Sequence, residues 1–113
     1  MTENNLKYVK IKDNPYYILV ETTNKNFSTY KINSQTKHIE SGAFADCSRV
    51  SSIEIPSSVT SIGSGAFRDC TSLTSIKFNG TKAEWNAIEK GSYWNSNVPA
   101  TEVVCTDGNV SIS

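Results

Sequence analysis

One segment of this chain occurs twice in succession, and corresponding residues of the two copies are 23 positions apart. The matched pairs are Ile39 and Ile62, Ala43 and Ala66, Phe44 and Phe67, Asp46 and Asp69, Cys47 and Cys70, and Ile55 and Phe78. A fixed period of about 20 to 50 residues is typical of solenoids, in which each unit buries its apolar stripe against the next. The repeat therefore predicts stacked coils whose equivalent side chains form columns.

Each repeat unit has a strand half and a return half. The triplet Ile53-Glu54-Ile55 alternates apolar and polar residues, which is the period of a β-strand with one buried face. Pro56 ends the strand, because proline has no N–H to donate to a neighbouring strand. The return half is expected to be a turn or a short 3₁₀ segment. Its inward residues are expected to be Val59, Ile62, Ala66 and Phe67.

Less regular segments flank these two units. Shifting the pattern back by one period places Phe27, Tyr30 and Ile32 on the strand positions, which predicts the strand of a further coil. We therefore assign residues 24–79 to repeat coils and residues 1–23 to an N-terminal cap of strands, with a hairpin about Asp13-Asn14-Pro15. Residues 80–113 are assigned to a C-terminal cap, and residues 1–113 together form one domain.

The C-terminal cap is predicted to begin with one short amphipathic helix. Thr81 and Glu84 have the spacing of a capping box, in which each side chain accepts a hydrogen bond from the backbone of the other. Trp85 lies on the expected buried face of this helix. Lys90 in the last turn and Gly91 after it are expected to end the helix.

A hairpin is predicted to come next, over residues 102–113. Asp107-Gly108 is a strong two-residue turn signal. In that register Cys105 faces Val110 and Val103 faces Ile112, so that all four would pack on the last coil.

Composition argues against several classes of function. Charge is balanced, with 11 basic and 11 acidic residues, whereas nucleic-acid binding requires a positive face. No apolar run approaches the ~20 residues that span a membrane, so we expect no membrane insertion. The first residues lack the basic and apolar regions of a signal peptide. We therefore expect either a protein that is not exported by that route or a piece of a longer chain.

The repeated segment resembles the BspA-type leucine-rich repeat. The resemblance rests on IESGAFADCSRVSSIEIPSSVTSIGSGAFRDCTSLTSIKF and on FNGTKAEWNAI, which is similar to the segment after the last repeat in bacterial members. It implies a mostly β fold with short helices, a short right-handed α/β solenoid with a parallel sheet on its concave side. It also implies a bacterial surface or secreted protein that adheres to host molecules, with a cytoplasmic location as the alternative. The family has no catalytic residues to transfer.

The outward strand positions are the first choice for a binding surface. Stacking places Glu54 between Lys31 and Lys77, and a neighbouring column contains hydroxyls. A separate aromatic residue, Trp94, has no periodic partner and is a further candidate contact residue. The proposed partner-binding residues are Thr29, Lys31, Ser52, Glu54, Ser75, Lys77 and Trp94. The partner could be a protein or a glycan.

The titratable residues of the repeat admit a functional and a structural interpretation. Cys47 and Cys70 are equivalent in adjacent coils, so they could approach disulfide distance, but a column of small buried side chains is the favoured interpretation. Asp46 and Asp69 are more readily explained as caps of local backbone amides than as a carboxylate pair. His38, the only histidine, is expected in a solvated return loop. With one histidine and no Cys-x-x-Cys pair, we expect no metal or cofactor.

These observations lead to three hypotheses of function. The first is a non-enzymatic binding or adhesion module. The second is a structural capping or spacer segment, or a small intracellular interaction protein, with no ligand of its own. The third and weakest is a cysteine-dependent hydrolase using His38 with Cys47 or Cys70, for which no orienting partner is evident.

Overall fold

Each coil of the structure contributes one strand to each of two sheets. The computed structural model describes residues 1–112. Its strands are β1 (Thr2–Glu3), β2 (Leu6–Ile11), β3 (Asn14–Thr22), β4 (Thr29–Lys31), β5 (His38–Ile39), β6 (Ser52–Ile55), β7 (Ser61–Ile62), β8 (Ser75–Phe78), β9 (Glu89–Lys90), β10 (Glu102–Cys105) and β11 (Gly108–Ser111). One helix, α1 (Lys82–Ala87), lies between β8 and β9.

The two sheets give a solenoid of about four coils. The first sheet has the order β1-β2-β3-β5-β7-β9, and the second sheet has the order β11-β10-β8-β6-β4. Pairing is parallel from β3 to β9 and from β4 to β10, and it is antiparallel where β1, β2 and β11 are added. The mostly β solenoid implied by the repeat and by the resemblance is therefore confirmed.

The core lies between the sheets and continues from coil to coil. Phe44 and Phe67, one period apart, stack with ring centroids 5.0 Å apart and an interplanar angle of 5°. The four predicted inward residues of the return half, Val59, Ile62, Ala66 and Phe67, are all buried. This half is a turn containing the short strand β7, and it has no 3₁₀ segment among the described residues. A buried aromatic pair contributes about 0.5–1.5 kcal/mol beyond its area, so the aromatic column stabilises coil stacking.

Two positions in each return segment require a left-handed backbone. Gly42 and Gly65 have φ of 67° and 62°, and Asp46 and Asp69 have φ of 62° and 61°. Aspartate tolerates this conformation better than most residues, because its short polar side chain can bond locally. Asp69 Oδ1 accepts from Asn97 Nδ2 at 2.6 Å, and among the described residues neither carboxylate accepts from a local backbone amide, so the recurrence of aspartate is explained by backbone conformation and the expected capping role is corrected.

The third coil is longer than the first repeats because it contains α1. Gly42 N donates to Ser64 O at 3.1 Å, and Gly65 N donates to Ser92 O at 3.0 Å. The residue that stacks on Gly65 is therefore Tyr93, which is 28 positions later and has φ of 60°. The helix adds five residues to the period (28 − 23) without disturbing the hydrogen bonds between coils.

The C-terminal hairpin forms in a different register from the predicted one. The turn residues are Thr106 and Asp107, so that Cys105 pairs with Gly108 and Val103 pairs with Val110. Tertiary bonds explain the shift, since Asp107 Oδ1 accepts from Lys82 N at 2.8 Å and fixes the turn against the start of α1. The last residue of the predicted hairpin, Ser113, lies outside the described residues.

Two other predicted boundaries are also corrected. The N-terminal hairpin turns at Lys12 and Asp13, because Ile11 pairs with Asn14, and Lys12 has a left-handed φ of 54°. Helix α1 ends at Ala87, and Lys90 lies in β9. From β9, Lys90 Nζ donates hydrogen bonds to the carbonyl oxygens of Trp85 at 2.9 Å and Ile88 at 3.1 Å. The lysine thus supplies donors to carbonyl groups at the end of the helix although it lies outside the helix.

Candidate functional site

The predicted outward columns come together on the exposed face of the second sheet. Thr29 pairs with Ser52 and Lys31 pairs with Glu54 between β4 and β6. Ser52 then pairs with Ser75 and Glu54 pairs with Lys77 between β6 and β8. The structure thus places six of the seven predicted contact residues on three adjacent strands. We call this surface the strand groove: Thr29, Lys31, Ser52, Glu54, Ser75 and Lys77.

The strand groove is an open depression of about 510 Å³, lined by its six side chains together with Tyr30 and Ile53. Lys77 Nζ lies 3.4 Å from Glu54 Oε1, and both side chains are more than half exposed. Such an exposed ion pair contributes about 0–1 kcal/mol, so both groups remain available to a partner. Two lysines and one glutamate leave one net positive charge (+2 − 1) beside three hydroxyl groups. This arrangement can accept and donate hydrogen bonds, but it contains no nucleophile with a base.

Trp94 does not join the strand groove. Its side chain is 9% exposed, and its ring packs against Phe67 and Trp85 with centroids 6.2 Å and 5.6 Å away. Trp94 therefore extends the aromatic column of the core, and the expectation that it is an exposed contact residue is corrected. The signal was present in the sequence, since Gly91-Ser92 repeats Gly63-Ser64, but the 28-residue spacing concealed it.

The exposed aromatic residue of this segment is Tyr93. Its side chain is 76% exposed, and it occupies the left-handed position that Gly42 and Gly65 occupy in the preceding coils. A bulky residue with positive φ is an outlier that costs about 1–2 kcal/mol. Trp85, Trp94 and Tyr8 are buried, so these rings form no exposed platform beside Tyr93.

His38 lies in a strand of the first sheet and not in a return loop. His38 Nδ1 lies 2.5 Å from Ser61 Oγ, and His38 Nε2 lies 3.5 Å from Glu40 Oε1. The backbone N–H groups beside this cluster are already bonded: Gly63 N to Ile39 O, and Ser41 N to Glu40 Oε1. Neither of these two N–H groups is therefore free to stabilise an oxyanion, and the arrangement is better explained by pairing of side chains between β5 and β7.

The two repeat cysteines are packed inside the solenoid. Cys47 and Cys70 are free thiols with no exposed surface, and Cys70 Sγ donates to Phe44 O at 3.0 Å. Interaction with the neighbouring Cys47 thiol, together with burial, raises the pKa of Cys70 far above its ordinary range. The same interaction lowers the pKa of Cys47 to about 7. Neither sulfur reaches solvent, so the thiols cannot meet a substrate in this structure.

The described part of the chain offers no cluster of three metal-binding side chains. Across residues 1–112 there is no helix of the length and apolarity that crossing a membrane requires.

Comparison with known families gives one match that covers nearly the whole chain. The model of the BspA type leucine rich repeat region matches residues 2–112 with six copies. The match includes the terminal segments as well as the two regular units. Comparisons with curated proteins and with solved structures gave no match.

Proposed function

Because this chain belongs to the BspA-type leucine-rich repeat family, we propose that it is a non-enzymatic module that binds another protein through the strand groove. The observation that carries the proposal is the alignment of Lys31, Glu54 and Lys77 across three strands. Solenoids commonly use such repeated faces for recognition, because stacking holds outward side chains at fixed spacing on a rigid support.

The composition of the groove supports a protein partner with mixed polarity. Its lysines attract carboxylates, Glu54 attracts a cation, and the hydroxyls of Thr29, Ser52 and Ser75 can bond backbone groups. Charges in such a position fix register and discriminate between partners more than they add affinity. The groove is small, so we infer a weak or transient interaction, or one face of a larger contact.

We further propose that the interaction occurs at a bacterial surface and serves adhesion. The support is the association of the family with bacterial surface proteins. A glycan is the alternative partner, since hydroxyl and charged side chains also bond sugar hydroxyls.

The competing proposal is a spacer or capping segment without a ligand of its own. It is supported by the exposure of the Glu54–Lys77 ion pair, because such a pair is also expected on a face that contacts only solvent.

The strand groove is tested by reversing its central charge. In Glu54→Arg three cations would lie side by side, so an acidic partner would bind in an altered register and the wild-type partner would bind at least about ten-fold more weakly. Folding should be unchanged within about 1 kcal/mol, because the lost ion pair is exposed. Partners are first captured from host matrix proteins and from a glycan array, and affinity is then measured by surface plasmon resonance.

Glu89→Arg is the matched control, because Glu89 is an exposed glutamate in a strand of the opposite sheet. Equal affinity of Glu54→Arg and wild type for a confirmed partner would exclude the groove as the binding site. Capture of no partner from either source would favour the spacer.

A further inference from the structure

The second sheet ends in an open strand edge at β4. Among the described residues β4 pairs only with β6, whereas the same end of the first sheet is extended by the antiparallel strands β2 and β1. Thr29 and Lys31 are exposed, and Tyr30 between them is buried. An unpaired strand edge presents a row of N–H and C=O groups that can pair with another chain.

The backbone direction of β4 identifies which groups are free to pair. Ser28 O accepts from Ser51 N at 2.8 Å and from Ser52 N at 3.4 Å, so Ser28 bonds toward β6. Successive residues of a strand direct their backbone groups to opposite edges. Tyr30 therefore also bonds toward β6, and the N–H and C=O groups of Thr29 and Lys31 point to the open side.

The side-chain columns specify what an added strand would contain. Along the sheet the charges alternate as Lys31, Glu54 and Lys77, so an acidic residue would extend the alternation beyond Lys31. The neighbouring column contains hydroxyls, so a small hydroxyl residue fits beside Thr29. Two residues before β4, Phe27 is 41% exposed and packs edge-on against Tyr30, with centroids 6.0 Å apart, which offers apolar contact to an added strand.

We propose that the outer edge of β4 binds an extended segment of a partner protein as an additional parallel strand. The segment has the pattern hydroxyl, apolar, acidic, apolar. The chain's own β6, Ser-Ile-Glu-Ile, has this pattern and pairs with β4 on the other side. Strand addition obtains affinity from main-chain bonds and specificity from alternate side chains.

A partner with this pattern is favoured over a second copy of the chain. Two copies related by a two-fold axis would pair their β4 edges antiparallel and only over the three residues Thr29–Lys31, whereas a segment like β6 continues the parallel order of β4, β6 and β8. The inference rests on the proposed function of protein interaction and shares Thr29 and Lys31 with the strand groove, but it uses their backbone edge, whereas the groove is centred on Glu54. The two can therefore fail separately.

The probe is the N-acetylated, C-amidated peptide RVSSIEIPS, residues 49–57 of the chain. The comparison peptide is RVSSIKIPS, in which lysine replaces the glutamate. Binding is measured by NMR titration of the full chain, with the amides of Thr29 and Lys31 as reporters. We expect shifts and increased exchange protection at these two amides with the glutamate peptide, and at least about three-fold weaker binding of the lysine peptide.

Two variants test the backbone and the charge separately. Thr29→Pro removes one outward N–H at an edge position where proline is tolerated, and should weaken binding about ten-fold, whereas Thr29→Val retains that N–H and should bind as wild type. Lys31→Glu should reverse the preference and bind the lysine peptide better. This second variant keeps the test valid even if the proline variant folds poorly.

Each other result overturns the inference. Binding that survives Thr29→Pro but is lost in Glu54→Arg would place the peptide in the strand groove, which keeps the proposed function and excludes the edge. A dimer in sedimentation velocity that Thr29→Pro dissociates would identify a second copy as the occupant. An absence of shifts at Thr29 and Lys31 at peptide saturation would show that the edge does not pair.

Discussion

Glycine recurs in the return segments for two reasons that the structure separates residue by residue. Gly65 has a left-handed φ of 62°, but a Cβ there would lie 3.7 Å from the nearest atom, Arg68 Cβ. Gly63 has no left-handed backbone, but a Cβ there would lie 2.3 Å from Ser41 N of the adjacent coil. The first glycine therefore provides conformation, and the second allows two coils to approach.

Alanine at these two positions should have unequal effects. Gly65→Ala adds only left-handed strain, so we expect a loss of about 1 kcal/mol in the free energy of unfolding. Gly63→Ala would force two backbones apart, because the overlapping atoms cannot rotate away, and should cost at least about 3 kcal/mol. Urea denaturation followed by circular dichroism measures both. Equal losses would contradict the assignment of different roles to the two glycines.

Single residues also show where sequence reasoning succeeds and where it cannot. The register of Lys31, Glu54 and Lys77 is predictable from the 23-residue period, because a parallel sheet keeps equivalent residues side by side. The burial of Trp94 cannot be predicted from that period. A period is visible only while its spacing is constant, and the five residues added in the third coil shift Trp94 out of alignment with Ala66.

At the scale of elements, local signals predict starts better than ends. The capping box at the start of α1 is present: Glu84 N donates to Thr81 Oγ1 at 3.1 Å, and Thr81 N donates to Glu84 Oε1 at 2.9 Å. The predicted turn of the C-terminal hairpin is one residue too late. Asp107-Gly108 favours a turn locally, but the bond from Lys82 N to Asp107 places the turn by a long-range contact that no local pattern contains.

The capping box should carry a measurable part of the stability of α1. Thr81→Ala removes one of its two bonds and should lower the free energy of unfolding by about 1 kcal/mol. The loss should appear as reduced amide protection within residues 82–88, because a helix of six residues depends strongly on its end. Lys82→Ala is the control in the same turn, since it keeps the backbone bond to Asp107. Loss of protection in the control alone would contradict the capping role.

At the scale of the whole molecule, the coils are held mainly by their neighbours. In a stacked repeat, stability is approximately a sum of terms within coils and between adjacent coils, so a terminal coil opens more easily than an inner one. The inner coils are predictable because they repeat. The ends of the stack cannot be predicted in this way, because an antiparallel strand is added at each end and the two regular units contain no such strand. Cys47 and Cys70 lie in the inner coils, and Cys105 lies near the C-terminal end, so the three thiols can report on both parts of the stack.

The order of thiol reactivity should follow position in the stack and not thiol acidity. Cys105 lies in β10 beside the last strand and is 8% exposed, while Cys47 and Cys70 lie in inner coils with no exposed surface. A pKa of about 7 for Cys47 would favour its reaction, and burial raises the pKa of Cys105 and opposes reaction. One pKa unit changes a rate by about ten-fold, whereas opening an inner coil requires most of a global stability of about 5–15 kcal/mol.

Access should therefore outweigh acidity, and we expect pulse alkylation near pH 8 with peptide mass spectrometry to label Cys105 first. Cys47 and Cys70 should then react together at the rate of global opening, and Cys105→Ser should leave that slow rate unchanged. Lower pH should slow the labelling of Cys105, because the thiolate is the reacting form, and should leave the slow rate of Cys47 and Cys70 unchanged as long as opening limits it. Early labelling of Cys47 would instead show that its coil opens locally, and it would restore a solvent-accessible thiolate to the inner repeats as a group capable of chemistry.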